Sequence, residues 1–124
     1  MEKKNVLKEK SFNFSISIVK LVQQLQDESK EYVLSKQLLR SGTAIGALIC
    51  EAEFGQSTAD FLSKMYISLK EANETKYWLE LLFATNYITA EKYEQSYTDC
   101  KELVAMLVAT TKTIKSKNTK TNNF

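Results

Sequence analysis

The chain has 124 residues, 44% of them hydrophobic and 26% charged, with no proline, three glycines and no histidine. That length makes one domain and that mix makes a globular one; the missing histidine removes most zinc sites, the Ser-His-Asp and Cys-His arrangements and the Glu-x-x-His pairs of di-iron bundles. Net charge is +2, but Lys112, Lys115, Lys117 and Lys120 are the only charged residues from 111 onward; without them 13 basic face 15 acidic groups, a net of −2, so the body is no polycation, and any attraction to nucleic acid must come from local patches or from those four lysines.

No apolar run approaches the roughly 18 residues of a membrane span. The opening MEKKNVLKEK is charged throughout and lacks the apolar core of a secretory signal. A cytoplasmic protein with no membrane partner is the expectation. The glycines of SGTAIG have neither the spacing nor the following Lys-Ser/Thr of a phosphate loop. No enzyme activity, catalytic residue, metal or cofactor is expected.

The first predicted helix runs from about residue 4 or 5 to 27. Leu7, Phe14 and Leu21 recur every seven residues, with Ser11, Ile18 and Leu25 as their companion line, an a/d stripe. Asp27-Glu28-Ser29-Lys30 reads as a short polar connection. A second helix is predicted over about residues 30 to 54, with Leu38, Ser41/Gly42, Ile45, Ile49 and Ala52 as its core line. Gly42 and Gly46 lie one turn apart. Glycine costs a helix up to about 1 kcal/mol against alanine, so the pair signals close approach by another backbone, or else tolerance in a helix held by packing. Cys50 and Cys100 sit at core-like positions and read as reduced packing residues.

Phe54-Gly55-Gln56-Ser57 is the predicted turn. Gly55 is expected to stop the helix in the left-handed conformation. Ser57 with Asp60 resembles a capping box. The third helix, over about residues 58 to 86, alternates by four and three through Phe61, Met65, Ser68, Ala72, Thr75, Leu79 and Leu82. It also carries Leu62, Tyr66 and Leu69, and further Trp78 and Leu81, more apolar positions than one core stripe needs. The surplus means either a wide buried face or a surface for a partner; on the second reading Leu62, Tyr66, Leu69, Tyr77 and Trp78 are the expected self-association interface. Thr89 is a plausible N-cap, with Ile88 and Tyr93 as a hydrophobic staple. The fourth helix is predicted from 90 to about 115, through Tyr93, Ser96/Tyr97, Cys100, Leu103, Leu107, Thr110 and Ile114. Residues 116–124 read as a disordered basic and polar tail beyond a 1–115 domain. Four amphipathic helices with short connections make an all-α, antiparallel up-down-up-down four-helix bundle.

Because the turn centres near residue 56, Arg40 falls level with Glu71 and Glu74, and Glu51 with Lys64. Interhelical ion pairs are expected there, the alternative being a solvated face of little consequence.

Gln37-Leu38-Leu39-Arg40-Ser41-Gly42-Thr43-Ala44-Ile45-Gly46-Ala47, then Phe61-Leu62-Ser63-Lys64 and Leu69-Lys70-Glu71-Ala72-Asn73-Glu74-Thr75-Lys76-Tyr77-Trp78-Leu79, resemble the four-helix-bundle family of 23S ribosomal RNA intervening sequences. Ala44 stands where that family usually has Ser, and Leu48 where it often has Asn. The resemblance implies a ring-like homopentamer. It also implies kinship with the accessory protein of diversity-generating retroelements, which binds a reverse transcriptase and nucleic acid. It supplies no catalytic residues. Two functions follow: an accessory protein on RNA or a ribonucleoprotein, or a protein–protein scaffold with no nucleic-acid contact.

Overall fold

A stripe of apolar and small residues repeating every seven positions can be hidden only against other helices. In the computed structural model, which describes residues 5–122 and side chains as far as residue 117, four helices hide theirs together: α1 (Val6–Ser29), α2 (Leu34–Glu53), α3 (Thr58–Ala84) and α4 (Ala90–Asn122). Each packs on the next, and α1 closes on α4. The architecture is an all-α up-down-up-down bundle, with no strand among the described residues.

Both heptad lines of α1 are buried, as is the whole expected line of α2. In α3 the line is buried from Met65 to Leu82, while Phe61 at its start is half-buried. Cys100, Leu103, Leu107 and Thr111 complete the core from α4; Thr110 and Ile114, expected there, are half-buried. Each large aliphatic side chain hidden this way stabilises the fold by about 1.5–3 kcal/mol.

Apolar burial fixes the faces, and buried hydroxyls fix the register of α2 on α3. The Ser68 hydroxyl donates to the Ile45 carbonyl at 2.9 Å. The Thr75 hydroxyl reaches the Ser41 hydroxyl at 2.9 Å. A one-turn slip would break both bonds; Thr75 keeps the Glu71 carbonyl of its own helix at 2.8 Å, but a buried Ser68 hydroxyl left unsatisfied would cost about 1–3 kcal/mol. Among the described residues no buried side-chain nitrogen or oxygen lacks a partner.

The glycine pair of α2 faces α1. A Cβ on Gly42 would lie 2.9 Å from Cγ2 of Ile18, and one on Gly46 would lie 3.3 Å from the Ser11 hydroxyl and 3.4 Å from its carbonyl oxygen. Close packing, not tolerance, is the reason for glycine at 42.

The helix ends depart from expectation in four places. First, α1 continues to Ser29 and α2 begins at Leu34. Lys30, in the left-handed region (φ 54°), closes α1. The Glu31 carboxylate then takes the amides of Ser35 (2.7 Å), Leu34 (3.1 Å) and Val33 (3.2 Å), a cap supplied from outside the usual N-cap position. Second, Gly55 is not left-handed. Glycine is needed because a Cβ would lie 3.1 Å from the Ala52 carbonyl oxygen and 3.2 Å from the Phe61 nitrogen. Third, α3 ends at Ala84 rather than near residue 86, and Asn86 (φ 66°) turns the chain. Fourth, α4 runs to Asn122, past the expected end at 115; the segment has neither proline nor glycine to break it. Residues 123 and 124 of the expected tail lie outside the described residues. The other caps match: Ser57 accepts from the Asp60 amide (3.0 Å), Asp60 accepts in return from the Gln56 amide (3.1 Å), and Thr89 accepts from the Lys92 amide (3.2 Å).

Two outcomes follow for stability. Gly42→Ala should lower the melting temperature, because its Cβ meets the fully buried Ile18. Gly46→Ala, with looser neighbours and up to about 1 kcal/mol of helix propensity gained, should stay near wild type. Leucine at either site should cost about 1–3 kcal/mol or more; melts unchanged by leucine would refute the packing role. Burial acts to raise the Glu31 carboxyl, but the three amides outweigh it and hold it below its ordinary value of 4.5. Its contribution is therefore complete above about pH 4.5 and lost as pH falls through the lower folded value. Thermal melts across this range should show that loss, and Glu31→Gln should flatten it.

Candidate interaction surfaces of the bundle

The α2/α3 seam is ion-paired. Arg40 places Nη1 3.3 Å from Oε1 of Glu71 and holds Glu74 through Nη2. Lys64 lies 3.2 Å from Glu51. The Trp78 indole N–H donates to Oε2 of Glu74 at 3.0 Å. That bond, helped by Arg40 and opposed by burial, holds the Glu74 carboxyl below its usual range. Arg40 is half exposed, so each pair contributes about 0–1 kcal/mol. These side chains close a seam and are occupied with one another.

Of the residues expected to form one interface on α3, Leu62, Tyr66, Leu69 and Tyr77 follow one line at helical spacing, with Tyr66 and Tyr77 exposed and the leucines half-buried. Trp78 adjoins that line, its ring edge-on to Tyr77 with centroids 5.1 Å apart while its indole N–H reaches Glu74.

A larger apolar surface lies between α1 and α2, where no interface was expected. A groove of about 590 Å³ runs over Ser11, Ser15, Thr43 and Gly46, with Phe12 on one rim and Ala47 and Cys50 on the other. Phe12 is 65% exposed, and Ile16 and Val19 continue its line along α1. Cys50 is exposed rather than core; it follows Ala47 on the outer face, one position past the buried Ile49. Cys100 is buried, and burial pushes its thiol up to about 12. The signal was legible in Phe12, Ile16 and Val19, spaced i, i+4, i+7, but the inner stripe already accounted for α1.

The α3/α4 flank is aromatic and basic. Phe83 stacks on Tyr93 with ring centroids 4.5 Å apart and planes 8° apart, and Tyr93 meets Tyr97 at 5.1 Å. Nζ of Lys76 and of Lys101 lie 5.6 and 5.9 Å from the Tyr97 centroid. The Tyr97 hydroxyl donates to Glu80 at 2.9 Å; that bond, with burial, pushes the phenol up to about 12. Further along α4, Lys112 and Lys115 continue the helical line through Tyr97 and Lys101, and Lys117 falls off it. The side chain of Lys120 lies outside the described residues. Among the described residues no group of three or more acidic, cysteine or histidine side chains is placed to hold a metal ion, and no helix is long and apolar enough to cross a membrane.

Over residues 3–109 the sequence matches the 23S rRNA-intervening sequence protein family. The chain belongs to that family. A solved relative, a protein of unknown function from the S23 ribosomal protein family of Bacteroides thetaiotaomicron, is 55% identical. The similarity covers 86% of this chain and 99% of that one, with a TM-score of 0.86. No curated protein matches. Lys112, Lys115, Lys117 and Lys120 lie beyond the matched residues, whereas the groove and the aromatic row lie within them.

Trp78 is the single tryptophan and reports on this seam. Its fluorescence should change as acid protonates Glu74, with a midpoint below 4.5, and Glu74→Gln should abolish the transition. A midpoint at or above 4.5 would contradict the bonding described.

Proposed function

We propose that this family member works without catalysis, as a cytoplasmic homo-oligomer, a ring-like pentamer, that accompanies RNA or a ribonucleoprotein. A nucleic-acid-processing protein such as a reverse transcriptase is a further partner in this reading, by kinship with the retroelement accessory proteins. One observation carries the self-association: the chain buries a complete core and still leaves the α1/α2 groove and the Tyr66–Tyr77 flank outside it. Two unlike apolar patches on one chain favour head-to-tail contacts, which close into rings when the rotation allows. Support for RNA comes from the family's connection with ribosomal RNA intervening sequences and from Lys112, Lys115, Lys117 and Lys120, four lysines per chain. Five copies would gather about twenty of them, a multivalent contact even where one chain binds weakly. The net −2 of the first 110 residues acts against it.

A second reading, a protein–protein scaffold with no nucleic-acid contact, is favoured by the mainly apolar lining of the groove.

Light scattering after gel filtration should give several times the 14.2 kDa of one chain; a monomer at micromolar concentration would overturn the assembly. Titration of fluorescent single-stranded RNA should show binding that weakens steeply with salt. A version ending at Thr111 should bind more weakly. Equal binding by both would exclude Lys112, Lys115, Lys117 and Lys120 as the site. No binding at low salt would leave the scaffold.

A further inference from the structure

Of the row Phe83, Tyr93 and Tyr97, the two tyrosines pack against the core while only half-buried, and Phe83 lies outside it. Beneath the row lie Leu79, Leu82 and Cys100 of the core. Phe83 remains 39% exposed. Ring planes 8° apart at 4.5 Å hold Phe83 and Tyr93 parallel, and since Tyr93 already meets Tyr97, a further flat ring would extend the stack from the exposed Phe83. Lys76 from α3 and Lys101 from α4 bring two ammonium groups to the Tyr97 ring. Flat aromatic faces beside cations on a rigid scaffold suit unpaired bases and their phosphates. Every base has a face to stack, and lysine neutralises the backbone without reading sequence. A duplex keeps its faces inside and gains nothing from the rings.

We propose that Phe83, Tyr93 and Tyr97 with Lys76 and Lys101 form a stacking platform for single-stranded nucleic acid on the α3/α4 flank. The proposal rests on the RNA association argued above, but places the contact on the body of the bundle rather than on the end of α4. Glu80 is the acid within the cluster. Its carboxylate accepts the Tyr97 hydroxyl, and it repels phosphate from that edge of the ring, which leaves the lysines as the phosphate side.

The test compares three fluorescent strands of equal length on the wild-type protein: single-stranded RNA, the same sequence in DNA, and a ribose-phosphate strand with abasic sites. Stacking predicts that either base-bearing strand binds about fivefold or more tighter than the abasic one for each base stacked. RNA favoured over DNA would assign RNA as the ligand through its 2′-hydroxyls; equal binding would assign any single strand. Phe83→Leu with Tyr97→Leu should weaken binding about tenfold or more and leave the salt slope unchanged. Lys76→Gln and Lys101→Gln should each lower that slope by about 0.7. A version ending at Thr111 should keep the preference for bases. The abasic comparison uses unaltered protein, so misfolding of a variant cannot imitate its result. If base-bearing and abasic strands bind alike, the platform is wrong and RNA association stands. If no strand binds at low salt, RNA association itself is wrong and the platform falls with it.

Discussion

The bundle depends on one missing side chain. At Gly42 the backbone of α2 lies bare to α1, and Ile18 occupies the space that a Cβ would take; one turn on, Gly46 meets Ser11 less tightly. A helix interior does not favour glycine, so the cost is offset by contact that no other residue permits at 42. The same gap shapes the exterior. Gly46 forms part of the floor of the α1/α2 groove, and Phe12 and Cys50 rise at its rims. One local choice thus sets the inner packing of two helices and the outer surface they share.

Against that contact, the ionic features of the molecule are minor. Arg40 with Glu71 and Glu74, Lys64 with Glu51, Lys8 with Glu53 and Lys10 with Glu102 all lie on seams that water reaches, where such pairs contribute little. Register is held instead by the hydroxyls of Ser41, Ser68 and Thr75, which are fully buried and partnered between α2 and α3. A slipped alignment would keep most of the apolar burial but lose these bonds, so they select one alignment where greasy contact alone selects only a face.

The fold was legible because burial repeats: Phe14, Ile18 and Leu21, or Ala72, Thr75 and Leu79, declare a buried face by spacing alone. The level of Arg40 with Glu71 and Glu74 was also legible, since one tight turn sets the offset of both helices. Most of what escaped was set by tertiary neighbours. Glu31 is an exception, taking amides only two to four residues on, but from two positions before Val33, where the usual capping pattern does not place the acceptor. Gly55 looks like a left-handed stop until Phe61 is seen against it. Cys50 adjoins a core line yet faces outward. Phe83 belongs to α3 and Tyr93 to α4, so their stack exists only once the two helices meet. The exposed line of Phe12, Ile16 and Val19 did have a sequence signal, but a helix with one satisfied stripe gives no reason to look for a second.

The four seams differ in chemistry: mainly apolar between α1 and α2 apart from Lys8 with Glu53, ion-paired between α2 and α3, aromatic and basic between α3 and α4, and polar between α1 and α4, where Lys92 meets Gln24 and Lys10 meets Glu102. That division separates a surface suited to another protein chain from one suited to a polyanion. The central claim is that the groove over Gly46 is covered when the chain assembles, and Cys50 stands on its rim as a built-in probe. The decisive measurement is the rate at which Cys50 reacts with a soluble thiol reagent across protein concentration. The account predicts fast reaction at dilution and protection as the oligomer forms, with buried Cys100 slow throughout. A Cys50 rate that stays constant across concentrations at which light scattering registers assembly would contradict it.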